Sequence, residues 1–163
     1  MRARPALMAL VSIVALLGAG CGSTSSSGAP NAAGSPSASS AGSTVAVASD
    51  AKLGQILVDG KGMTVYLFVA DTGTQSTCYS SCAAIWPPVL TSGAPQAGSG
   101  AQGSLLGTTT RTDGKVEVTY GGHPLYYFIK DKKPGDTTGQ GVNGFGALWW
   151  VMSPSGAAIT STM

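Results

Sequence analysis

From Val45 onward the apolar positions alternate with polar ones instead of following a helical stripe. Ile56, Val58, Val65 and Leu67 keep a period of two, as do Val116, Val118, Leu125, Tyr127 and Ile129. Val, Ile, Tyr, Phe and Thr fill these runs, the residue types that suit a pleated, half-buried surface. Asp59-Gly60-Lys61-Gly62 separates one pair of runs and Tyr120-Gly121-Gly122-His123-Pro124 another, both with hairpin-turn chemistry, and Asp113-Gly114 marks a further turn. The pattern predicts a single, mostly antiparallel all-β domain, with helix confined to a short turn around Ser80–Ile85.

The alternation repeats itself. Tyr66-Leu67-Phe68-Val69-Ala70-Asp71 and Tyr126-Tyr127-Phe128-Ile129-Lys130-Asp131 both read Y-x-F-x-x-D, 60 residues apart. In the same register Gly54 matches Gly114, Ile56 matches Val116, Val58 matches Val118 and Gly62 matches Gly122. Ala84-Ile85-Trp86 recurs as Ala147-Leu148-Trp149 after a shift of three more residues. One supersecondary unit is used twice, over about 52–90 and 111–156. Each half reads as strand, tight turn, a strand carrying Y-x-F, a loop and a closing strand with Trp.

Period two assigns roles within the motif. Tyr66 and Phe68 share one face of their strand, as do Tyr126 and Phe128. Asp71 and Asp131 lie past the strand ends, where a carboxylate accepts backbone N–H groups of a turn. A paired-carboxylate site is the alternative for these aspartates, but a repeat duplicates structural residues automatically. Adjacent Trp149 and Trp150 must face opposite sides. One is expected inside, and the other either lies under a long loop, 91–107 or 134–146, or offers a ligand surface.

The N-terminal residues change the setting of this domain. Arg2 and Arg4 precede a predominantly apolar run, Ala6–Leu17, that is too short to span a bilayer, and Leu17-Gly18-Ala19-Gly20-Cys21 follows. This resembles the end of a bacterial lipoprotein signal peptide, which implies cleavage after residue 20 and a diacylglyceryl group on Cys21. Residues 22–44 are Gly, Ser, Thr, Ala and Pro apart from Asn31, a composition that predicts a disordered linker. The predicted organisation is signal peptide 1–20, anchored linker 21–44 and β domain 45–163. Loss of Arg2 and Arg4 reduces nine basic residues to seven, equal to the seven acidic ones. The remaining Lys130, Lys132 and Lys133 form too small a cluster to suggest a nucleic-acid partner. The expected partners are a membrane, through the lipid, and an envelope polymer or protein. The expected location is extracytoplasmic.

Chemistry-bearing residues are few. Cys78 and Cys82 form C-x-x-x-C, and two neighbouring thiols outside the cytosol are expected to oxidise to a disulfide. The same spacing is similar to that of copper chaperones of cytochrome oxidase, so Cys78, Cys82 and His123, the sole histidine, form an alternative soft-metal set. Glu117, the sole glutamate, is expected to point outward from its strand, and His123 to sit exposed in a turn. No G-x-S-x-G motif or phosphate loop occurs, so neither a catalytic constellation nor a cofactor is predicted.

Taken together, both Y-x-F-x-x-D motifs, Cys78-x-x-x-Cys82-Ala83-x-x-Trp86-Pro87-Pro88, Tyr120-x-Gly122-x-Pro124-Leu125-Tyr126, Gly135-Asp136-Thr137-x-Gly139-Gln140-Gly141 and Trp149-Trp150 resemble a family of secreted bacterial repeat lipoproteins named for a Y-x4-D or Yx(F/W/Y)xxD motif. The resemblance spans roughly Gly54–Gly156. It implies a secreted or lipid-anchored protein, of an actinobacterium or similar organism, and no catalytic activity or residues.

Overall fold

A computed structural model describes residues 42–161. Within them run β1 (Thr44–Asp50), β2 (Gly54–Asp59), β3 (Tyr66–Phe68), α1 (Ser81–Ile85), β4 (Gln96–Ala97), a single 3-10 turn (Gly103–Leu105), β5 (Leu106–Thr110), β6 (Val116–Tyr120), β7 (His123–Pro124), β8 (Asn143–Gly144) and β9 (Ala147–Val151). The signal peptide, Cys21 and all but the end of the linker lie outside the described residues. β1 begins at Thr44, and Ser43 donates through its Oγ to the Leu90 carbonyl at 2.6 Å.

Each half opens with an antiparallel hairpin. β1 pairs with β2, from Val45 opposite Asp59 to Asp50 opposite Gly54. β5 pairs with β6, from Leu106 opposite Tyr120 to Thr110 opposite Val116. The first hairpin continues through a turn set by one side chain: Asp59 Oδ1 accepts the N–H groups of Lys61 and Met63 at 2.8 and 2.9 Å, while Gly62 takes a φ of 83°. Three small sheets result, in the orders β2-β1-β4, β3-β9-β8 and β5-β6-β7, and only the two-residue β1–β4 pairing is parallel.

The halves exchange their closing segments. β9, from the second half, pairs with β3 of the first, placing Tyr66 opposite Val151 and Phe68 opposite Trp149. In return the end of α1 and the residues after it lie against the second Y-x-F segment, which is extended through single bridges at Tyr126 and does not form the strand expected for it. Tyr127 N–H donates to the Pro87 carbonyl at 2.8 Å, and Ile129 N–H to the Ile85 carbonyl at 3.0 Å. Both motif segments thereby gain a partner that their own half does not supply.

Two hydrophobic clusters sit on opposite sides of these segments. Tyr66, Phe68, Tyr126, Phe128, Trp86, Trp149 and Val151 belong to one, with both cysteines. Val65, Leu67, Leu125, Trp150 and Met152 belong to the other, with Tyr127 packed against it. Segments buried on both faces read as unbroken apolar runs, which explains Val65–Phe68, Leu125–Phe128 and Trp149–Met152. Period two therefore told which residues share a face, without revealing that both faces are covered.

Three expectations fail locally. Trp86 follows α1 with its backbone at φ −120° and ψ 77°, so the closing element of the first half is a helical turn and not a Trp-bearing strand like β9. Glu117 does not point outward: it is completely buried, while Val116 beside it is exposed. His123 lies in β7 and is partly buried, with an inaccessible Nδ1.

Candidate functional site

Antiparallel pairing of the two motif tyrosines marks the seam between the halves. Tyr66 N–H donates to the Tyr126 carbonyl at 2.8 Å, and Tyr126 N–H to the Tyr66 carbonyl at 3.0 Å. Each phenol then reaches the aspartate of the opposite repeat. Tyr66 donates to Asp131 Oδ2 and Tyr126 to Asp71 Oδ2, both at 2.6 Å. The other oxygen of each carboxylate accepts twice from one threonine. Asp71 Oδ1 takes the N–H and hydroxyl of Thr77 at 2.7 and 2.6 Å, and Asp131 Oδ1 takes those of Thr138 at 3.0 and 2.5 Å. Each aspartate also closes a turn, its N–H bonded to the phenylalanine carbonyl three residues back at 3.0 Å. The carboxylates accept no N–H of the tight turn itself, and the backbone N–H each one takes is that of Thr77 or Thr138 in the loop beyond.

Burial raises both phenol pKa values. For Tyr66 the bond to Asp131 adds to the rise, and for Tyr126 the charge of Glu117 and the bond to Asp71 do so. The tyrosines remain neutral donors and the carboxylates are their acceptors. Each aspartate is thus engaged with the tyrosine of the opposite repeat and with a threonine of its own. Thr77 and Thr138 went unnoticed in the sequence, since one follows its aspartate by six residues and the other by seven.

Beside this seam the aromatic residues stack in one column. Phe68 lies on Trp149 at 4.0 Å, Trp149 on Trp86 at 4.0 Å and Trp86 on Phe128 at 4.2 Å between ring centroids. Tyr66 meets Trp86 edge-on at 5.4 Å and Tyr126 meets Trp149 edge-on at 5.1 Å. Each such contact adds roughly 0.5–1.5 kcal/mol to the burial itself. Trp149 and Trp150 do face opposite sides, one in each cluster, but neither offers a ligand surface, since both are buried. The 134–146 loop provides the cover. A Cβ on Gly139 would stand 2.8 Å from Trp86 and one on Gly141 3.1 Å from Trp150, so these positions admit no side chain without displacement.

Polar residues that break the repeat lie on one side of the seam. Arg111, buried, donates to Glu117 Oε2 at 2.7 Å, to Ser76 Oγ at 2.8 Å and to the Cys78 carbonyl at 2.7 Å. Tyr126 joins this network through Ser76 at 2.7 Å, and the Arg111 guanidinium lies 4.4 Å over the Tyr79 ring. Burial pushes the Glu117 carboxyl up to about 7, against the lowering effect of Arg111. Its Oε1 is buried without a hydrogen-bond partner. Arg111 and Ser76 carried no motif that could have singled them out.

Cys78 and Cys82 form a disulfide with Cα atoms 5.2 Å apart, and both residues are buried in the aromatic cluster. The alternative metal set of Cys78, Cys82 and His123 is not assembled. The sulfurs bond each other, and the described residues contain no group of three His, Cys, Asp or Glu side chains positioned to hold one ion. Surface clefts among the described residues include one of about 380 Å³ along 91–95, Gly107, Thr108 and Val116 and one of about 300 Å³ between Ser43, Thr44, Asp59, Gly60, Lys61 and Tyr127. No helix of the described residues is long and apolar enough to cross a membrane.

The fold and seam define a two-repeat β protein whose repeated motif joins its halves. The chain belongs to a family described as a secreted repeat of unknown function, Lipoprotein_15, which it matches at residues 47–90 and 107–153, together more than half its length. The matched segments begin upstream of residues 52 and 111 and take in most of β1 and nearly all of β5. No curated protein and no solved structure gives a match to the chain.

Proposed function

We propose that the protein is a non-catalytic module of the cell envelope, held at the membrane by a diacylglyceryl group on Cys21 and presenting its β body to an envelope polymer or protein. The observation that carries this is the reciprocal Tyr66–Asp131 and Tyr126–Asp71 bonding. The residues that distinguish the repeat are buried and engaged with one another, so the motif serves to hold a rigid body together. The lipoprotein-like end of the signal peptide and the Ser/Gly/Ala/Pro linker support a tethered placement.

Intact-mass measurement of the protein extracted from its native membrane tests the proposal. A chain beginning at Cys21, carrying acyl chains and lacking the two hydrogens lost in forming a disulfide, is expected. A mature chain recovered without acylation would overturn the anchored placement. Stoichiometric Cu(I) binding by the reduced protein, lost in His123→Ala, would replace the binding role with a copper-handling one.

A further inference from the structure

The two repeats present the same turn with different chemistry. Phe68–Asp71 and Phe128–Asp131 are each closed by an aspartate N–H to phenylalanine carbonyl bond of 3.0 Å. Their tips are Val69-Ala70 and Ile129-Lys130. An exposed aliphatic pair accompanies each tip. Val69 N–H bonds the Leu148 carbonyl in one, and Ile129 N–H bonds the Ile85 carbonyl in the other. Val69 and Ile129 are 49% and 45% exposed, Leu148 and Ile85 37% and 38%.

Charge separates them. The first repeat has Ala70, Thr72 and Gly73 where the second has Lys130, Lys132 and Lys133, all three exposed. Lys132 Nζ donates to the Ile129 carbonyl, which sets a cation directly beside the exposed isoleucine. The lysine turn also adjoins the start of the described chain. Gly62 is so close to Pro134 that an added Cβ would stand 3.1 Å from the proline ring, so the turn bearing the exposed Lys61 packs against the residue that follows Lys133. Gly60 N–H in turn bonds the Thr44 carbonyl at 3.1 Å. Two acidic residues share this face, and both are engaged. Asp59 accepts from Lys61 N–H, Met63 N–H and the Tyr127 hydroxyl, and Asp136 accepts the N–H groups of Lys132 and Lys133 at 2.8 and 3.1 Å.

We propose that the face formed by Lys61, Ile85, Ile129, Lys130, Lys132 and Lys133 docks on an anionic lipid surface. Four lysines attract the headgroups, and the exposed isoleucines enter the boundary beneath them, the combination by which basic amphipathic surfaces hold a membrane. The exposed aliphatics favour a bilayer over a soluble polyanion, which would use the lysines alone. This deepens the anchored reading and rests on it, because a domain held at the membrane through Cys21 keeps such a patch within reach of the lipid headgroups.

Vesicle co-sedimentation of the unacylated Cys21→Ser chain without residues 1–20 tests it, and intact mass tests acylation separately. Binding to phosphatidylcholine vesicles containing phosphatidylglycerol is expected, with little binding to phosphatidylcholine alone and release at about 0.5 M salt. Replacing Lys130, Lys132 and Lys133 by Ala is expected to weaken binding roughly tenfold or more. Ile129→Asp should weaken it too, whereas Val69→Asp at the equivalent tip should not. Absence of binding to anionic vesicles, or equal effects of Ile129→Asp and Val69→Asp, would overturn the proposal. So would equally tight binding to a soluble poly(glycerol phosphate) that is insensitive to Ile129→Asp, which would point to a wall polyanion. Unchanged far-UV circular dichroism shows that each variant has folded.

Discussion

At the residue scale, two phenols hold the halves together because each finds its acceptor in the other repeat. A buried carboxylate deprived of its donor loses more than one hydrogen bond, since its desolvation then goes uncompensated. Tyr66→Phe and Tyr126→Phe should each lower stability by about 1–3 kcal/mol in urea denaturation, although neither change leaves a large cavity. A loss below a few tenths of a kcal/mol in both would show that the exchange contributes little. Glu117 gives a second, pH-dependent test. Burial raises its folded-state pKa from 4.5 to about 7, so the folded protein holds this proton to higher pH than the unfolded chain. The resulting stabilisation is complete below about pH 4.5 and lost as pH rises through about 7, on the order of a few kcal/mol in total. Relative to Glu117→Gln, the wild-type protein should lose stability between those pH values in urea titrations. Parallel curves for the two proteins would refute this role.

Elements follow from local chemistry to different degrees. The β5–β6 hairpin and the turn after β2 were legible, since Asp113-Gly114 and Asp59-Gly60-Lys61-Gly62 supply the turn residues that their backbones need, whereas the β1–β2 hairpin, closed at Asp50–Gly54, was not. The helical turn at Ser80–Ile85 was legible as well, and α1 occupies Ser81–Ile85. Its neighbour Trp86 was misassigned to a strand because its match with Trp149 is a match of packing position: both rings enter the same stack on different backbones. A helix of five residues has no independent stability. Cys78 and Cys82 span its start, and closing a loop of this size is worth about 2 kcal/mol on the chain-entropy account. Cys78→Ser should therefore lower the urea midpoint while leaving the β circular dichroism signature in place. An unchanged midpoint would mean that the aromatic cluster holds α1 without the bond.

On the scale of the whole molecule, the exchange of closing segments makes the repeats interdependent. β3 takes β9 as its partner, the 126–129 segment takes Ile85 and Pro87 at the end of α1, and the aromatic column alternates residues of the two halves. Neither half contains a complete core. Fragments 42–101 and 102–161 should each lack dispersed amide resonances when prepared alone, while the joined chain shows one cooperative transition. A fragment that folds by itself would contradict the exchanged architecture.

Local period and turn chemistry, which act over a few residues, were enough to specify an all-β chain of two repeats, the shared face of Tyr66 with Phe68 and of Tyr126 with Phe128, and the turns ending in Asp71 and Asp131. Pairings between residues far apart in the chain were decided by the tertiary structure alone. They set which aspartate each tyrosine meets, bury Glu117 beside Arg111, cover Trp150 with the 134–146 loop and pack Gly62 against Pro134 after the lysine turn. Symmetry explains the division. A repeated sequence shows that two units are alike, but it does not say that each is completed by the other.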